Sequence, residues 1–226
     1  MHNGPHSIGI ILDGNRRWAK LEGKTSFEGH YRGFEKVKEL LDWALEAGVR
    51  EVTLYAFSTE NWNRSKEEVT YLMELFEKAF PDYLDKVMEK NMQLRFLGQR
   101  NKMSATLQKL MNEAEEKSKG ATGGILAIAV SYGGRSEILE AVNTLLAEGY
   151  DQVTEEELRE KMWSNGMSDP DLIIRTSGEQ RLSNFLTWGS VYSELFFTKT
   201  FWPAFSKEEF LSILEEYRER ERRHGK

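Results

Sequence analysis

The sequence predicts an α/β protein in which one mostly parallel sheet is flanked by helices. Short apolar runs of strand length recur along the chain, and segments with helical periodicity lie between most of them. A helix that connects two strands returns the chain to run beside the first strand in the same direction, so this alternation predicts parallel pairing. Since no proline- or serine-rich linker and no repeat interrupts the pattern, residues 1–226 are predicted to form a single domain.

Six strands and six further helices follow from these patterns. The strands are predicted at residues 8–12, 52–57, 94–97, 125–131, 172–174 and 195–198. The helices, whose apolar residues recur at three- and four-residue steps, are predicted at residues 34–47, 66–89, 101–119, 136–148, 154–163 and 206–222. Pro81 is expected to kink the second helix. Thr154 with Glu157, and Ser206 with Glu209, have the spacing of a capping box at a helix start.

Composition excludes several classes of function. The chain has 226 residues and a net charge of -6, which disfavours a general nucleic-acid-binding protein because such domains are usually basic. It contains no cysteine, so disulfides, thiolate metal sites and cysteine nucleophiles are excluded. No apolar run reaches the roughly 18 residues of a membrane span, and the N-terminus does not resemble a signal peptide. We therefore expect a cytoplasmic protein.

The first strand ends in residues that suit an anion. Asp13 follows the strand, Gly14 allows backbone amides to approach a ligand, and Asn15 tolerates unusual dihedral angles. Arg16 and Arg17 then place positive charge at the start of a short helix. In parallel sheets, ligands bind beyond the carboxyl ends of the strands. This corner therefore suits a phosphate or diphosphate, with Mg²⁺ on the neighbouring acid, although a turn with two solvated arginines is an alternative.

Three other strand ends repeat this composition. Polar loops that contain glycine or arginine follow the second, fourth and fifth strands, at residues 58–64, 131–135 and 175–184. One such loop is ordinary, and a single arginine is more often a surface residue than a ligand. Four loops at the same edge of one sheet, however, predict a site for more than one anionic group. The aromatic and long apolar side chains of the chain exceed what phosphate binding needs, which suits an amphiphilic substrate, although most of them are expected in the core.

Five stretches of the sequence carry a resemblance to a known family. "ILDGNRRWAK", "LYAFSTENWNR", "SYGGR", "DLIIRTSGEQRLSNFLTW" and "YSELFFT" resemble, in this order and at these separations, the cis-prenyltransferase family. The likeness extends over residues 6–225. It implies a single α/β domain with a hydrophobic tunnel, and a homodimer as the assembly.

The resemblance also implies an activity: the sequential condensation of isopentenyl diphosphate onto an allylic diphosphate, with release of diphosphate. Asp13 and Asn61 match positions that serve catalysis, and Asp13 with Glu194 matches the positions that hold Mg²⁺, the latter across the dimer. The residues that match substrate-binding positions are Gly14, Asn15, Arg16, Arg17, Trp18, His30, Ser58, Trp62, Arg64, Arg175, Arg181, Ser183, Arg223 and Gly225. Peripheral membrane contact would serve the release of a lipid product.

The sequence departs from the family pattern near the phosphate pocket and along the tunnel wall. Arg16 stands where many bacterial members have glycine, and Ser26 stands where they have arginine, so we expect Arg16 to replace part of the missing charge. Ala56 and Gly124 are small at positions where bulkier residues shorten the tunnel. These residues favour a medium- or long-chain product, such as undecaprenyl diphosphate.

Other functions fit the sequence less well. A phosphohydrolase or nucleotide-binding protein would need a second acid two residues after Asp13 or a glycine-lysine loop, and neither is present. A trans-type prenyltransferase would carry paired aspartate-rich helices. A non-catalytic partner subunit of a cis-prenyltransferase complex is the main alternative, but such subunits typically lose the first-strand aspartate motif. The Glu/Arg-rich helix at 206–222 is interpreted as a solvated, ion-paired face.

Overall fold

The core of the protein is a six-stranded sheet in which every neighbouring pair of strands is parallel. The computed structural model describes residues 4–220. The strands are β1 (Ser7–Ile11), β2 (Glu51–Ser58), β3 (Gln93–Leu97), β4 (Ile125–Tyr132), β5 (Leu172–Arg175) and β6 (Glu194–Phe197). Their order in the sheet is β3-β4-β2-β1-β5-β6. The predicted parallel sheet is therefore confirmed, and every predicted strand end lies within one residue of the observed one.

Seven helices and two 3₁₀ turns connect and cover the strands in residues 4–220. The helices are α1 (Asn15–Leu21), α2 (Ser26–Glu46), α3 (Lys66–Glu89), α4 (Ala105–Ser118), α5 (Gly134–Ala147), α6 (Glu155–Lys161) and α7 (Lys207–Glu219), and the 3₁₀ turns are Thr59–Asn63 and Trp202–Ala204. α3 has the predicted bounds and is assigned as one helix with Pro81 inside it. Between residues 4 and 220, no helix is both long enough and apolar enough to cross a bilayer.

The start of α2 was predicted eight residues too late. Its N-terminal part contains two glycines, which hid the helical periodicity, because glycine normally disfavours a helix interior. Both glycines allow α1 to approach: a Cβ on Gly29 would lie 2.3 Å from the carbonyl oxygen of Asn15, and one on Gly33 would lie 2.1 Å from its side-chain oxygen. Thr25 and Glu28 form a capping box at the true start, and this is the signal that locates it.

The capping predictions at the other two helices differ in outcome. Thr154 and Glu157 form the complete reciprocal capping box at the start of α6. At α7, the Ser206 hydroxyl accepts from the backbone of Glu209, but the Glu209 side chain accepts instead from the hydroxyl of Thr198. The second half of that box is therefore replaced by a contact that anchors α7 to the end of β6.

The sheet is buried on both faces, as the apolar strands predict. The larger core cluster joins one face of the strands to α2, α3, α4 and α7, and includes Ile10, Leu54 and Phe80. A smaller cluster covers the other face and includes Tyr55 and Phe185. α7 contributes Phe210, Ile213, Leu214 and Tyr217 to the buried side, while several of its Glu and Arg residues form ion pairs, which agrees with the predicted solvated face.

The topology fixes where a ligand is expected. β1 lies in the middle of the sheet, with β2, β4 and β3 on one side of it and β5 and β6 on the other. The chain therefore changes direction across the sheet at β1, and parallel sheets bind ligands at such a switch point, beyond the carboxyl ends of the strands. The loop after β1 begins with Leu12 and Asp13.

Candidate active site

Four strand-end loops meet at one edge of the sheet. They follow β4, β2, β1 and β5, which are consecutive in the sheet, so the predicted convergence of these loops is confirmed. Between them lies a cleft of about 790 Å³, here called the central cleft. Each loop contributes lining residues to it, among them Asp13, Asn61, Arg135, Arg175 and Ser183.

An ion pair between Asp13 and Arg175 lies at the centre of this edge. Arg175 pairs with Ile11 across β1 and β5, which brings its side chain to the loop after β1. Its Nη2 donates to Oδ2 of Asp13 at 2.9 Å, and its Nη1 donates to Oγ of Ser183 at 2.7 Å. The guanidinium is only 5% exposed, and its buried Nε has no hydrogen-bond partner in residues 4–220. Buried donors are normally satisfied, so this unpaired Nε is an exception.

Asp13 is held in its ionised form. Burial alone would raise the pKa of Asp13, but the hydrogen bond and charge of Arg175, together with the charge of Arg17, bring that pKa below its usual value of 3.8. Arg17 Nη2 lies 3.3 Å from Oδ1 of Asp13, and Arg17 also donates to the carbonyl and hydroxyl of Ser177. The site therefore combines one fixed carboxylate with two guanidiniums whose positions are set by the surrounding loops.

The turn after Asp13 is held from both sides. Gly14 has a φ of 108°, a conformation that other residues rarely adopt, and a Cβ there would lie 2.7 Å from the ring of Phe201. The carbonyl of Asp13 accepts from the Thr176 hydroxyl at 2.7 Å and from the backbone amide of Trp202 at 3.0 Å. Residues that follow β5 and β6 thus fix the carboxylate of Asp13 in place.

A second cleft, of about 780 Å³, lies over α1 and the start of α2, and we call it the cationic cleft. Five basic side chains line it: Arg16, Arg17, Lys20, Lys24 and Arg64. The two lysines were not among the predicted site residues. Lys20 lies four positions after Arg16 on α1, a spacing that places both residues on the same face of a helix and was the available signal.

Glu68, in the first turn of α3, organises part of this positive charge. Its Oε1 lies 3.0 Å from Nη1 of Arg64 and 3.2 Å from Nε2 of His30, and its Oε2 lies 3.5 Å from Nη1 of Arg16. Burial lowers the pKa of His30 below 6.5, and the nearby arginines add to this shift, although the hydrogen bond that Glu68 accepts from His30 opposes it. The shift favours the neutral form of the imidazole.

An apolar cavity of about 50 Å³ lies beneath both clefts, between the sheet, α2 and α3. Leu12, Asn15 and His30 line this cavity as well as the central and the cationic clefts. Its apolar walls are Phe34, Val37, Leu54, Ala56, Leu72, Leu75, Phe76, Phe80, Tyr83 and Ile128. Two polar clefts and an apolar space therefore meet at three residues. An engineered cavity that binds benzene has roughly 150 Å³, and the cavity here is smaller, so the long tunnel stays a prediction.

Comparison with known proteins decides the family. The sequence model of the undecaprenyl diphosphate synthase family of prenyltransferases matches residues 11–225. The chain belongs to this family. An isoprenyl transferase of Aquifex pyrophilus is 44% identical over 98% of this chain and 96% of its own. The tritrans,polycis-undecaprenyl-diphosphate synthase (geranylgeranyl-diphosphate specific) of Thermoplasma acidophilum is 43% identical over 98% and 89%.

A solved structure supports the same assignment. Lavandulyl diphosphate synthase from Lavandula x intermedia, in complex with dimethylallyl diphosphate, superimposes with a TM-score of 0.95 at 33% identity, over 100% of both chains. The protein is thus a prenyl transferase with the single α/β fold of cis-prenyltransferases. The alternative interpretations of the sequence, as a phosphohydrolase or a trans-type prenyltransferase, are not needed to explain these findings.

The loop after β2 carries three predicted residues of the prenyltransferase site. Ser58 and Asn61 line the central cleft, and the Asn61 side-chain oxygen accepts from the Ser58 amide at 3.1 Å. Trp62 does not line the described clefts. Its Nε1 donates to Oγ of Ser131 at 2.9 Å, and its ring packs edge-on against Phe57, so it supports the turn that presents Asn61.

Other predicted residues lie farther from the clefts. The Arg181 guanidinium pairs with Glu179, while its carbonyl accepts from Arg175. The Trp18 ring is half-buried under the ammonium of Lys24. Arg223 and Gly225 lie outside the described residues.

Glu194 lies at the opposite end of the sheet from Asp13. In the sheet register, Glu194 lies opposite Leu172, and Leu172 lies opposite Ile8. Since Ile8 precedes Asp13 by five residues, the carboxylates of Glu194 and Asp13 are separated by roughly 16 Å along the strand direction alone. Oε2 of Glu194 instead accepts from Nη1 of Arg220 at 2.8 Å. Within one chain, Glu194 therefore takes no part in the site around Asp13. Its predicted role in holding Mg²⁺ would require the active site of a second copy of the chain.

The fit of the site to Mg²⁺ rests on Asp13. Within residues 4–220, no cluster of three or more acidic, histidine or cysteine side chains forms a complete metal cage. Mg²⁺ is commonly held by one or two carboxylates together with substrate phosphates. Asp13 supplies one ionised carboxylate between two clefts rich in cationic groups, which fits such shared coordination.

Proposed function

We propose that this prenyltransferase condenses isopentenyl diphosphate stepwise onto an allylic diphosphate and forms a medium- or long-chain polyprenyl diphosphate, a lipid-carrier precursor such as undecaprenyl diphosphate. The observation that carries the proposal is the junction at Leu12, Asn15 and His30, where two polar clefts meet an apolar cavity. Two diphosphates and one apolar tail are the groups that this condensation must hold together.

The two clefts divide the substrates between them. We assign the allylic diphosphate to the cationic cleft and isopentenyl diphosphate to the central cleft, where Arg175 and Ser183 face it. As the allylic carbon–oxygen bond breaks, negative charge develops on the departing diphosphate. The guanidiniums of Arg16, Arg17 and Arg64 are already in place to stabilise that charge, and preorganised donors act mainly on the transition state.

The remaining chemistry joins carbon to carbon. The terminal alkene carbon of isopentenyl diphosphate forms a bond to the allylic carbon as the allylic diphosphate departs. The methylene group on the other alkene carbon then loses a proton, for which a diphosphate oxygen is the available acceptor. Asn61 lies in the central cleft, where its amide can orient the second diphosphate. Asp13 would hold Mg²⁺, which when bound neutralises charge on the diphosphate. The lowered pKa of Asp13 keeps that carboxylate ready for a cation across the physiological pH range.

The tail is proposed to occupy the apolar cavity between α2 and α3 after it widens into a channel. Burial of one methylene group contributes about 0.8 kcal/mol, so each five-carbon unit contributes roughly 4 kcal/mol. This gain in free energy offsets the cost of separating the side chains that pack against each other across the cavity. Ala56, which lines both the cavity and the central cleft, leaves the entrance free of a bulky side chain. Gly124 gives no support for a long-chain product, because its backbone conformation and packing already require glycine. It has a φ of 153°, and a Cβ there would lie 2.3 Å from the carbonyl oxygen of Arg50.

A homodimer is proposed as the active assembly. Large apolar side chains are exposed, including Val191 at 71%, which follows the cleft-lining Ser190, and Leu139 at 61%, which lies on α5. Arg223 and Gly225 carry the family's C-terminal pattern, which implies that they reach a partner's active site together with Glu194. Sedimentation velocity tests this assembly: a monomer at micromolar concentration would contradict it. Loose membrane contact would then serve only product release, in a cytoplasmic protein.

One experiment tests the activity. The purified protein is incubated with Mg²⁺, radiolabelled isopentenyl diphosphate and either dimethylallyl, farnesyl or geranylgeranyl diphosphate, and the lipids are sized. We expect a ladder of products that Asp13→Ala abolishes. Products that are only one five-carbon unit longer than the primer would contradict the long-chain proposal. No chain growth with any primer would instead favour the non-catalytic partner subunit.

A further inference from the structure

The loop after β5 is held in an unfavourable backbone conformation. Ser183, Asn184 and Leu186 have φ angles of 49°, 67° and 44°. Residues other than glycine rarely adopt positive φ, and for a bulky residue such as leucine it is a true outlier. Strained backbone of this kind persists only where surrounding contacts hold it. The contacts of Asn184 provide such a restraint.

Asn184 joins three of the strand-end loops. Its Oδ1 accepts from the backbone amide of Arg135 at 2.9 Å, and its Nδ2 donates to Oε1 of Glu60 at 3.2 Å. Its own carbonyl accepts from the amide of Gly134 at 2.7 Å. The first and third contacts reach the N-terminus of α5, and the second reaches the 3₁₀ turn after β2. Its amide group makes both bonds at the same time: the oxygen accepts from a backbone amide, and the nitrogen donates to a carboxylate.

The two glycines of the loop after β4 make this junction sterically possible. A Cβ on Gly133 would lie 2.6 Å from Nδ2 of Asn184 and 2.8 Å from Oγ1 of Thr59. A Cβ on Gly134 would lie 2.3 Å from Oγ1 of Thr187. The glycine pair in "SYGGR" is therefore required by close packing of the loop that carries Asn184, and its conformational freedom is not the reason for it.

The contacts of Asn184 directly affect the positions of residues that line the central cleft. Ser183 precedes it, and the Ser183 hydroxyl accepts from Arg175, which in turn holds Asp13. Arg135 lines the same cleft, and its guanidinium has no hydrogen-bond or ion-pair partner in the described part of the chain. The position of Asn184 therefore sets the distance between Arg135 on one wall and Ser183 with Arg175 on the other.

We propose that Asn184 is a positioning residue for the second diphosphate: it fixes Ser183 and Arg135 around the subsite that binds isopentenyl diphosphate. The proposal rests on the function proposed above. It adds Arg135 to the groups that contact this diphosphate, and it assigns Glu60 the role of anchoring the junction. The allylic subsite lies on the other side of Asp13 and does not depend on Asn184.

Asn184→Asp is the sharpest test, because it keeps the size and the acceptor for Arg135 but replaces the donor to Glu60 by a second carboxylate. We expect the KM for isopentenyl diphosphate to rise roughly tenfold or more, as loss of a hydrogen bond to a charged group implies. The KM for the allylic diphosphate should change less than about twofold, since that subsite shares no partner with Asn184. Asn184→Gly, which keeps the backbone conformation without the side chain, should show the same selective effect.

Two further variants separate positioning from folding. Glu60→Gln in the Asn184→Asp background supplies a donor amide opposite the new carboxylate and should return the KM for isopentenyl diphosphate to within about threefold of wild type if the pair acts as a unit. Asn91→Asp is the matched control, because Asn91 also has a positive φ of 53° and one side-chain hydrogen bond, to Thr122, but lies at the opposite end of the sheet. It should leave both KM values unchanged.

The outcomes separate this proposal from the proposed function. If wild type elongates a primer and Asn184→Asp lowers the melting temperature with both KM values unchanged, Asn184 is merely structural and the positioning proposal is wrong. An equal rise in both KM values, or no rescue by Glu60→Gln, would overturn it as well. If wild type elongates no primer and calorimetry detects no binding of isopentenyl diphosphate, the proposed function fails, and this proposal fails with it.

Discussion

Replacing Asp13 by asparagine is expected to destabilise the protein more than replacing Arg175 by methionine, although both changes break the same ion pair. Asp13→Asn leaves a guanidinium that is only 5% exposed without its counter-charge, and an uncompensated buried charge costs about 3–5 kcal/mol. Two neutral acceptors, Ser183 and the carbonyl of Arg181, remain on Arg175, so we expect a value near the lower limit, about 3 kcal/mol.

Arg175→Met removes the buried charge itself. The carboxylate left behind is 29% exposed and still lies 3.3 Å from Arg17, so water and a second cation compensate it. We therefore expect the free energy of unfolding to fall by about 1–2 kcal/mol. This is less than the cost of breaking a fully buried pair, because the remaining carboxylate is partly exposed. Since the double variant leaves no unpaired charge, its cost should be about 2 kcal/mol smaller than the sum of the two single costs.

Urea unfolding followed by circular dichroism at pH 7 measures all three variants. The pKa of Asp13 is lowered in the folded state, so the pair contributes stability above the unfolded value and loses it as the pH falls through the lowered pKa. The difference in free energy of unfolding between wild type and Asp13→Asn should therefore stay constant down to about pH 5 and become smaller below pH 3.8. Glu116→Gln, which breaks an exposed ion pair with Lys119, is the control and should match wild type. Additive costs, or a larger cost for Arg175→Met, would refute the reasoning.

Three other predictions concern the cationic cleft and the turn that precedes it. Arg17→Ala should lower kcat by roughly 100-fold, the effect of removing one preorganised donor, whereas Lys20→Ala should lower it less than about fivefold, because no described hydrogen bond fixes that ammonium. The pKa of His30, followed by NMR of the imidazole nitrogens, should lie below 6.5 and fall further in Glu68→Gln, because Glu68 opposes the effect of burial. Gly14→Ala should lower stability by about 1–2 kcal/mol or more, through its positive φ and its contact with Phe201, as measured by thermal unfolding.

Each of these measurements has its own control. Gly120→Ala introduces a Cβ where no atom lies within 4 Å, so a comparable loss of stability there would show that the Gly14 result is not specific. Equal losses of kcat for Arg17→Ala and Lys20→Ala would mean that net charge, and not fixed geometry, drives catalysis. A rise in the pKa of His30 on Glu68→Gln would show that the contact between their side chains is not formed in solution.

Local sequence patterns predict the strands and most helices because their signals are local. Six apolar runs and their polar ends are visible without any tertiary information, and so are the four loops that form the site. The start of α4 lies four residues after the predicted one. The start of α2 is the larger error, because Gly29 and Gly33 are present for packing against α1 and contradict the local helix signal. Tertiary contact overrode propensity there, while the Thr25 capping box kept the correct boundary in the sequence.

The pairing of side chains within the site could not be predicted in the same way. Asp13 and Arg175 are 162 positions apart, and they meet only because the register places Ile11 opposite Arg175. Glu68 lies in a helix whose periodicity suggests only an amphipathic element, yet it holds His30 and Arg64 from the first turn. Contacts of this kind depend on packing between elements, which periodicity does not encode.

The size of the apolar cavity and the charge of the cationic cleft are linked through α3. The sheet side of the cavity, including Leu54 and Ile128, is fixed by parallel pairing, so the space for a tail must come from the helices. Leu72 and Leu75, on that helical wall, follow Glu68 by one and two turns of α3. Under the proposed function, a diphosphate in the cationic cleft would compete with Glu68 for the guanidiniums of Arg16 and Arg64.

Binding of the head group would thus weaken the ionic restraint on α3, the helix whose movement the proposed tail site requires. The roughly 4 kcal/mol gained with each buried five-carbon unit can then act on a wall that is already less restrained. Recognition of the diphosphate and accommodation of the chain are, on this argument, two consequences of one set of contacts around Glu68. A substrate that offered only one of its two parts would lack either the release of α3 or the driving force to displace it.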